Sequence, residues 1–340
     1  MEKIRAALIG CGHIHSLHTR AIAVLPDVEI VAVCDEIRER AEKTAAEFSC
    51  RVYTDWKEMC ECDDIDVIHI ATPHYLHAPM TIYALEHGKH VLTEKPMAIK
   101  YEDAEAMNEA ARETGNTLGV IFQNRTNPGS VLVKETLESG KLGKVKCAKC
   151  ALYWDRPDSY YAKDNWHGTW EREGGGVIIN QAIHTLDLLR WFMDEEIDFV
   201  EANIANRTHP TIEVEDMAEG IIVYKNGVRT MFHLVNYYGE NENITIDILC
   251  EKGKIHMEAA KATVTFEDGS VIERDNETVP GPTVPGKGYW GVGHYKQVAD
   301  FYESIKKGEM PALSGEEAIK TQKMICALYQ SGKTGQRVQL

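Results

Sequence analysis

The sequence has no long apolar run, few aromatic residues and a shortage of positive charge. No apolar stretch approaches the roughly 20 residues that a membrane helix needs. Aromatic residues are only 8% of the chain, so any cluster of them is informative. With 37 Lys and Arg against 53 Asp and Glu, the net charge is −16, which repels a phosphate backbone. We therefore expect no membrane span and no nucleic-acid partner.

An export signal and a disulfide framework are also missing. Residues Met1 to Arg5 lead straight into an apolar segment, without the apolar core and cleavage site of a signal peptide. The nine cysteines are an odd number, scattered along a chain that is too long to need cross-links. Cys147 and Cys150 form a CxxC pair, but in a strand their side chains point to opposite faces, which favours ordinary thiols over a zinc site. We expect a cytoplasmic protein without a bound metal.

At 340 residues, the chain is long enough for two domains. In the first part, short apolar runs alternate with segments of helical spacing, and this rhythm predicts an α/β domain with a doubly wound parallel sheet. The predicted strands are 4–9, 28–34, 66–71, 89–92 and 117–122. Residues 1–123 are thus predicted to form a Rossmann domain.

The first strand ends in a turn that is typical of dinucleotide binding. Gly10 permits the tight turn, and Gly12 lets the backbone approach a pyrophosphate at the start of the next helix. The third fingerprint position is His15, not a small residue. Asp35 follows the second strand 35 − 12 = 23 residues after Gly12, near the spacing of a ribose-binding carboxylate. Asp35 favours NAD, and Arg38 nearby leaves NADP open.

Polar residues also follow two later strands. Thr72 and Pro73 follow the third strand, and the run Val91-Leu92-Thr93 ends in Glu94-Lys95-Pro96. Because open α/β sheets keep their ligands at the carboxyl ends of the strands, we expect chemistry at Lys95. Glu94 is expected to fix this loop, and an X-Pro bond allows a cis peptide before Pro96. His13, His15 and His18 are interpreted as polar residues near the cofactor, in preference to a metal site.

Residues 124–340 are predicted to form an α+β domain for substrate binding and oligomerisation. Alternating runs separated by Asn-Gly and Asp-Gly turns predict an open, mostly antiparallel sheet with helices on one face. A partner subunit is expected to cover the other, apolar face. The last helix is free to pack back on the Rossmann domain.

An aromatic and glycine-rich stretch, 160–176, precedes a helical pattern that starts at Val177. Trp166 and Trp170 suit a sugar ring, although each equally suits a core. Asn180 and His184 are four residues apart, so an α-helix would place them on one side. We interpret this pair as functional.

These motifs together resemble the glucose-fructose oxidoreductase, inositol dehydrogenase and MocA (Gfo/Idh/MocA) family. The resemblance covers essentially the whole chain, and its motifs are Gly10-x-Gly12, His18, Asp35, Thr72-Pro73, His77, Gly88-Lys89-His90-Val91 and Glu94-Lys95-Pro96. It implies an NAD(P)-dependent dehydrogenase of sugars or polyols that forms a homodimer or homotetramer. The implied cofactor-binding residues are Gly10, Gly12, His13, Ile14, Asp35, Arg38, Thr72, Pro73, His77, Glu94 and Lys95.

The resemblance also implies a catalytic set of Lys95, His184 and Asn180. An imidazole titrates near neutral pH and suits the base for oxidation, while Lys95 suits a proton relay and a partner of the carbonyl oxygen. Asn180 would orient the substrate. Many relatives carry Asp at this position, and an amide cannot titrate. Further substrate contacts are expected from Arg125, Tyr153, Trp166, Trp170 and His184.

Two alternatives remain open at this level. A glycosidase of the same fold would oxidise a sugar transiently, eliminate the aglycone and reduce the product again, with no net NADH. A regulator that senses NAD without catalysis would need neither Lys95 nor His184, so their presence together argues against it.

Overall fold

A computed structural model describes residues 3–275 and 291–340, which form two compact units. Among these residues, the first unit comprises 3–123 and 291–320, and the second comprises 124–275 and 321–340. The stretch 280–293 is rich in Gly and Pro, and this composition predicts a loop that carries Tyr289 and Trp290. Both of these residues lie outside the described ranges.

The first unit is built on a six-stranded parallel sheet. Its strands are β1 (Ile4–Ile9), β2 (Val28–Cys34), β3 (Arg51–Tyr53), β4 (Val67–Ile70), β5 (His90–Thr93) and β6 (Leu118–Val120). They pair in the order β3-β2-β1-β4-β5-β6, which is the Rossmann order with its reversal between β1 and β4. The predicted fold of this part of the chain is confirmed, and only the short edge strand β3 was not predicted.

Helices cover this sheet because its strands are apolar on both faces, as parallel strands must be. They are α1 (His15–Ala23), α2 (Arg38–Phe48), α3 (Trp56–Cys60), α4 (His74–Glu86) and α5 (Tyr101–Thr114). Ala41 and Ala45 of α2 pack against Leu8 and Val33, in a cluster that also contains Cys11. Helix α5 ends before Gly115, whose φ of 71° is typical of a glycine that caps a helix C-terminus.

The second unit is built on a nine-stranded mixed sheet. Its strands are β7 (Val145–Tyr153), β8 (Ile197–Ala205), β9 (Met217–Tyr224), β10 (Arg229–Val235), β11 (Thr245–Cys250), β12 (Gly253–Glu258), β13 (Lys261–Phe266), β14 (Val271–Arg274) and β15 (Val338–Gln339). The order is β14-β13-β12-β11-β7-β10-β9-β8-β15, and β7 with β10 is the parallel pair. The prediction of a mostly antiparallel sheet is therefore confirmed.

Helices of the second unit lie against one face of this sheet. They include α6 (Pro128–Glu138), α7 (Asp158–Tyr161) and α8 (Ile183–Met193), and a π-helical turn, Val177–Gln181, precedes α8. Along β7, Ala148, Cys150 and Leu152 are buried, whereas Cys147 and Lys149 are exposed. The two thiols of the CxxC pair thus lie on opposite faces, as expected of a strand.

The open face of the sheet is less apolar than predicted. Met231 is 56% and Leu249 47% exposed, but Lys149 pairs there with Asp247 at 3.5 Å. The expectation of an apolar face was therefore only partly right, because charged residues alternate with the apolar ones. Among the helices of the described ranges, none is long and apolar enough to cross a membrane.

Helix α9 (Gly291–Lys307) belongs to the first unit, although the sequence placed all of 124–340 in the second domain. Val298, Phe301 and Tyr302 pack with Ala21 and Leu92 in one buried cluster. Phe301 packs so tightly on β6 that a Cβ at Gly119 would lie 2.8 Å from its ring. The final helix, α10 (Gly315–Thr334), follows.

Candidate active site

The turn after β1 has the geometry that the glycine fingerprint predicts. Gly10 has a φ of 94°, and a Cβ there would lie 2.5 Å from the carbonyl oxygen of Ala71, so only glycine fits. Gly12 differs, because a Cβ there would meet no atom of the described residues within 4 Å. Exposed His13 and then Ile14 lead from this turn into α1. Gly10 therefore sets the backbone conformation of the turn. Gly12 leaves the outer side of the turn without a side chain.

His15, at the third fingerprint position, ties the turn to a neighbouring helix. Its Nδ1 lies 2.5 Å from the carbonyl oxygen of Gly12, and its Nε2 lies 3.2 Å from Thr44 Oγ1 in α2. A hydrogen-bonding ring thus takes the place of the small residue that the fingerprint usually has. His15 is engaged within the protein, and no cluster that could hold a metal occurs among the described residues.

Asp35 lies at the carboxyl end of β2, with its carboxylate against the glycine turn. Its Oδ2 accepts a hydrogen bond from the Cys11 amide at 2.8 Å, and its Oδ1 accepts one from the Ile37 amide at 2.9 Å. A carboxylate has about four acceptor positions, so two more remain for other donors. Arg38, at the start of α2, is exposed and lies 3.6 Å from Glu42.

Two glycine substitutions distinguish the role of this turn in stability from its role in NADH binding. We expect Gly12→Ala to fold with an unchanged melting temperature but to bind NADH at least about tenfold more weakly, because the new methyl group would stand where the pyrophosphate approaches. Gly10→Ala should instead lower the melting temperature, because of the clash with Ala71. Thermal unfolding and NADH fluorescence titration measure both effects. Unchanged NADH affinity in Gly12→Ala would remove this glycine from the binding site.

Glu94 fixes the loop that carries Lys95. Its Oε2 accepts a hydrogen bond from the Lys95 amide at 3.2 Å, and its Oε1 accepts from His18 Nε2 at 3.0 Å and His294 Nε2 at 3.3 Å. Burial alone would raise the pKa of Glu94, but the hydrogen bonds from the two histidines outweigh burial and hold the pKa well below its usual range. The carboxylate is therefore ionised behind Lys95, and its predicted role in fixing the loop is supported by these contacts.

The polar contacts of His18 continue into the core. His18 Nδ1 lies 2.9 Å from His69 Nδ1, and His69 Nε2 lies 2.9 Å from the Tyr302 hydroxyl. Burial, and next the neighbouring His18, keep the pKa of His69 well below its ordinary value, so His69 is neutral. His18 thus forms part of a buried chain of hydrogen bonds, and its place near the cofactor stays a prediction.

His77 connects the two loops that follow β4 and β5. Its Nδ1 lies 2.7 Å from the Pro96 carbonyl oxygen and its Nε2 2.9 Å from that of Thr72. The Lys95-Pro96 bond is cis. Pro73 ends the first of these loops, directly before α4. Since the ring of His77 is buried between two carbonyls, its contacts support positioning of the Lys95 loop over direct contact with a cofactor.

In the second unit, Asn180 lies in the π-helical turn ahead of α8. Its Nδ2 donates to Glu173 Oε1 at 2.6 Å and lies 3.2 Å from the Tyr160 hydroxyl. His184 is the second residue of α8. The uninterrupted α-helix predicted from Val177 was wrong, because a π-helical turn separates Asn180 from the α-helix, and such turns are frequent at functional sites.

A buried glutamate, Glu215, sets the start of this turn. Its carboxylate accepts from the amides of Gly176 and Ile178 at 2.9 and 3.1 Å and from the Tyr329 hydroxyl at 2.8 Å. Burial raises the pKa of Glu215 to about 7, against the lowering effect of these donors. A Cβ at Gly176 would lie 1.9 Å from the Glu215 carbonyl oxygen. This glycine therefore serves close packing inside the protein.

The predicted aromatic substrate contacts have protein partners. Trp170 donates its Nε1 hydrogen to the Glu213 carbonyl at 2.9 Å, and Trp166 lies against the ring of His167. Tyr153 stacks on Tyr238 with ring centroids 5.0 Å apart. For Trp170 the contacts favour a structural role. Substrate contact by these residues stays a prediction.

Arg125, another predicted substrate contact, is held in a buried ion pair. Its Nε and one terminal nitrogen donate to the two carboxylate oxygens of Asp187 at 2.7 and 2.5 Å. Asp187 also accepts from Thr321 Oγ1 at 2.6 Å. This two-pronged arrangement supports a structural role for Arg125 in joining the chain after Gln123 to α8.

Sequence reasoning missed Glu173, Glu215 and the chain from His18 to Tyr302. Glu173 directly precedes three glycines, and an acid at that place is the one local signal that could have found it. The sequence around Glu215 and Tyr302 carries no motif, so their contacts become evident only from the folded structure.

Comparison with known proteins agrees with these geometries. Residues 4–122 match the model of the oxidoreductase family with an NAD-binding Rossmann fold, and residues 131–256 match the GFO/IDH/MocA C-terminal domain. The WlbA dehydrogenase from Bordetella pertussis, solved with NADH and UDP-GlcNAcA, is 30% identical, with a TM-score of 0.87 over 100% of this chain and 98% of that one.

Two curated relatives are sugar or polyol dehydrogenases. Levoglucosan dehydrogenase of Pseudarthrobacter phenanthrenivorans is 26% identical over 91% of this chain and 90% of its own. The scyllo-inositol 2-dehydrogenase (NAD(+)) of Bacillus subtilis is 24% identical over 100% of this chain and 97% of its own. The predicted family and the predicted cofactor NAD are thus confirmed. The chain belongs to the Gfo/Idh/MocA family of NAD-binding oxidoreductases.

Proposed function

We propose that the protein is an NAD-dependent dehydrogenase that oxidises a secondary alcohol of a sugar, a polyol or a sugar derivative, or reduces the matching ketone. The observation that carries the proposal is the glycine turn with Asp35 beside it, at the carboxyl edge of a sheet in the Rossmann order. The substrate class is supported by relatives named for levoglucosan and scyllo-inositol.

The residues of the first unit fit a dinucleotide. The start of α1 and the turn at Gly12, which has no side chain, would hold the pyrophosphate. The remaining acceptor positions of Asp35 would bind the ribose hydroxyls. A carboxylate repels a 2′-phosphate, and Arg38 lies against Glu42; both observations favour NAD over NADP. When bound, NAD supplies the hydride acceptor.

Proton transfer is assigned to this chain's own side chains. We assign His184 as the base that takes the hydroxyl proton in oxidation, and Lys95 as the proton relay and partner of the carbonyl oxygen. The buried, ionised carboxylate of Glu94 accepts a hydrogen bond from the Lys95 backbone amide and so holds the Lys95 backbone in place. Asn180 orients the substrate.

NADH formation tests the proposal directly. Purified protein is incubated with NAD or NADP and a panel of inositols, aldoses, sugar acids, nucleotide-linked sugars and glycosides, and NADH absorbance is followed. We expect one class to yield NADH, with NAD preferred. Cleavage of a chromogenic glycoside without net NADH would replace the proposal by a transient-oxidation glycosidase. Binding of NADH without turnover on any compound would favour a sensor.

We also propose a cytoplasmic homodimer or homotetramer, formed through the open face of the second sheet. The nine free cysteines fit a reducing compartment. The exposed Met231 and Leu249 on the open face are the side chains that a partner copy would cover.

Charge on this face should prevent assembly. We expect the double substitution Met231→Glu and Leu249→Glu to convert the protein into a monomer. The fold of each chain should be unaffected, because both side chains are exposed on the surface of the chain. Light scattering after size exclusion gives the mass. The exposed Val271→Glu on β14, at the far edge of the sheet, is the control. A wild-type monomer, or a multimer that survives the double substitution, would contradict this interface.

A further inference from the structure

We propose that Arg156 and Lys163 bind an anionic group of the substrate, so that the protein acts on a sugar that carries a carboxylate or a phosphate. This inference rests on the proposed function and names the substrate class of that site. The two side chains, called the cation pair below, lie against the ring of Tyr160. The hydroxyl of that ring is 3.2 Å from Asn180 Nδ2.

Arg156 is held in place while one edge of its guanidinium is unused. Its Nη1 donates to the Asp155 carbonyl at 2.7 Å and to Asn241 Oδ1 at 2.9 Å. Its Cζ lies 4.7 Å from the ring centroid of Trp154 and 5.5 Å from that of Tyr160. Its Nε and Nη2 have no hydrogen-bond acceptor in the part of the chain that the structure describes. Such an edge matches a carboxylate or a phosphate, which accepts two parallel hydrogen bonds.

Lys163 adds a second positive charge at the same ring. Its Nζ lies 4.0 Å from the ring centroid of Tyr160, and within residues 3–275 and 291–340 its ammonium has no hydrogen bond or ion pair. Desolvation lowers the pKa of Lys163; the charges of Asp164 and Glu173 oppose this shift, and that of Arg156 adds to it. An ammonium that loses water without gaining an acceptor is unfavourable. A bound anion would supply that acceptor.

The two carboxylates that act on Lys163 have other partners. Asp164 lies 2.7 Å from His167 Nδ1, and Glu173 accepts a hydrogen bond from Asn180 Nδ2 at 2.6 Å. Neither carboxylate forms an ion pair with the cation pair. The chain as a whole has a net charge of −16, so two neighbouring cations without a carboxylate partner are an unusual feature of its surface. Their positive charge is available to a ligand.

The cation pair lies where a charged substituent of a sugar would reach it. The Tyr160 hydroxyl contacts Asn180, and it also lies 3.3 Å from Gln181 Nε2. One phenol ring and one hydrogen bond thus separate the cation pair from the residue assigned to substrate orientation. Burial raises the pKa of Tyr160 to about 12, so the phenol is neutral and does not repel an anion. A neutral sugar would leave the free edge of Arg156 without an acceptor.

Sugars that differ in charge test the proposal. Glucuronate and glucose 6-phosphate are each compared with glucose, and UDP-glucose carries its phosphates at the other end of the sugar. We expect the wild-type kcat/KM to be at least about tenfold higher for one of the anionic compounds than for glucose. A preference for glucuronate alone assigns a carboxylate. A preference for glucose 6-phosphate or UDP-glucose assigns a phosphate, at the corresponding end of the sugar.

Two substitutions connect this preference to the cation pair. Arg156→Lys keeps the charge but removes the two-pronged contact, and Lys163→Gln removes a charge at the surface. For the preferred anionic compound, we expect kcat/KM to fall at least about tenfold in the first variant and about threefold in the second, mainly through KM. NADH affinity and kcat/KM for glucose should not change. A merely structural role would lower kcat/KM for charged and neutral sugars alike.

Lys57→Gln is the matched control. This exposed lysine also lies over aromatic rings, 5.5 Å from the centroid of Trp56 and 5.4 Å from that of Tyr83, but it belongs to the first unit. Its loss removes the same charge, so an effect of net charge alone would appear in it as well. We expect this variant to keep the wild-type preference for the anionic compound.

Thermal unfolding of the NADH-saturated protein gives a readout that needs no turnover. We expect the preferred anionic compound to raise the wild-type melting temperature more than glucose does. The difference should vanish in the double variant Arg156→Lys and Lys163→Gln and persist in Lys57→Gln. Added salt should weaken it, because exposed charges are screened.

The two measurements distinguish this inference from the proposed function. If glucose is oxidised as well as every charged compound, or if the variants lower both activities equally, the anion site is overturned and the dehydrogenase stands. If no compound is oxidised but the anionic sugars raise the melting temperature through the cation pair, the anion site stands and the dehydrogenase proposal fails. Equal melting temperatures with charged and neutral sugars overturn the anion site, whatever the activity.

Discussion

Lys95→Met is expected to lower kcat by about 10²–10⁴, the usual contribution of a positioned acid or base. The substitution removes the ammonium group but keeps a long, apolar stem, so the loop after β5 should retain its shape. Glu94 contacts the Lys95 backbone amide, and that contact survives. NADH affinity should therefore stay within about twofold of the wild type.

Steady-state kinetics beside NADH fluorescence titration separates these two effects. Lys100→Met is the matched control, because this exposed lysine lies five residues further along and directly precedes α5. We expect the control to keep wild-type kcat and NADH affinity. Full activity in Lys95→Met would remove Lys95 from catalysis. Equal loss of activity and NADH binding would mean that the lysine holds the cofactor.

Arg125→Met should lower the free energy of unfolding by about 3–5 kcal/mol, because it leaves a buried carboxylate without its main partner. The side chains of Arg125 and Asp187 are 5% and 1% exposed. Thr321 still donates to Asp187, while Arg190 is 4.0 Å away, so compensation is incomplete. Chemical denaturation, followed by fluorescence, measures the change.

Arg112→Met is the matched control for this ion pair. Arg112 bonds Glu109 and Glu316, both at the surface, and its side chain is 55% exposed. An exposed pair contributes only about 0–1 kcal/mol. If Arg125→Met costs no more than the control but abolishes turnover, the earlier interpretation of Arg125 as a substrate contact is the correct one.

Local pattern was sufficient to predict most of the fold. Apolar runs bounded by glycine or polar residues predicted all but one strand of the first sheet. The site features that follow from local pattern were also accessible: the Gly10 turn, Asp35 at the end of β2, and the loop of Lys95. Each of these depends on residues that are neighbours in sequence or on a spacing that the Rossmann topology dictates.

The features that were missed depend on residues far apart in the chain. His18 is 51 positions from His69 and 76 from Glu94, and His69 is 233 from Tyr302. Hydrogen bonds to Glu215 stabilise the turn that contains Asn180. The apolar pattern of a helix does not predict such a contact. Helical periodicity from Val177 onward therefore predicted a continuous α-helix, whereas a buried carboxylate binding two nearby backbone donors favours a π-helical turn.

The place of α9 in the first unit has a consequence for the order of events during synthesis. The ribosome synthesises the six strands of the Rossmann sheet long before it makes Phe301 and Tyr302, which pack in the buried cluster beside that sheet. The Tyr302 hydroxyl is also the hydrogen-bond partner of His69. Until then, one apolar face and a buried polar chain stay open to water. The nucleotide-binding unit, although it comes first in the sequence, completes its core only when most of the chain has been translated.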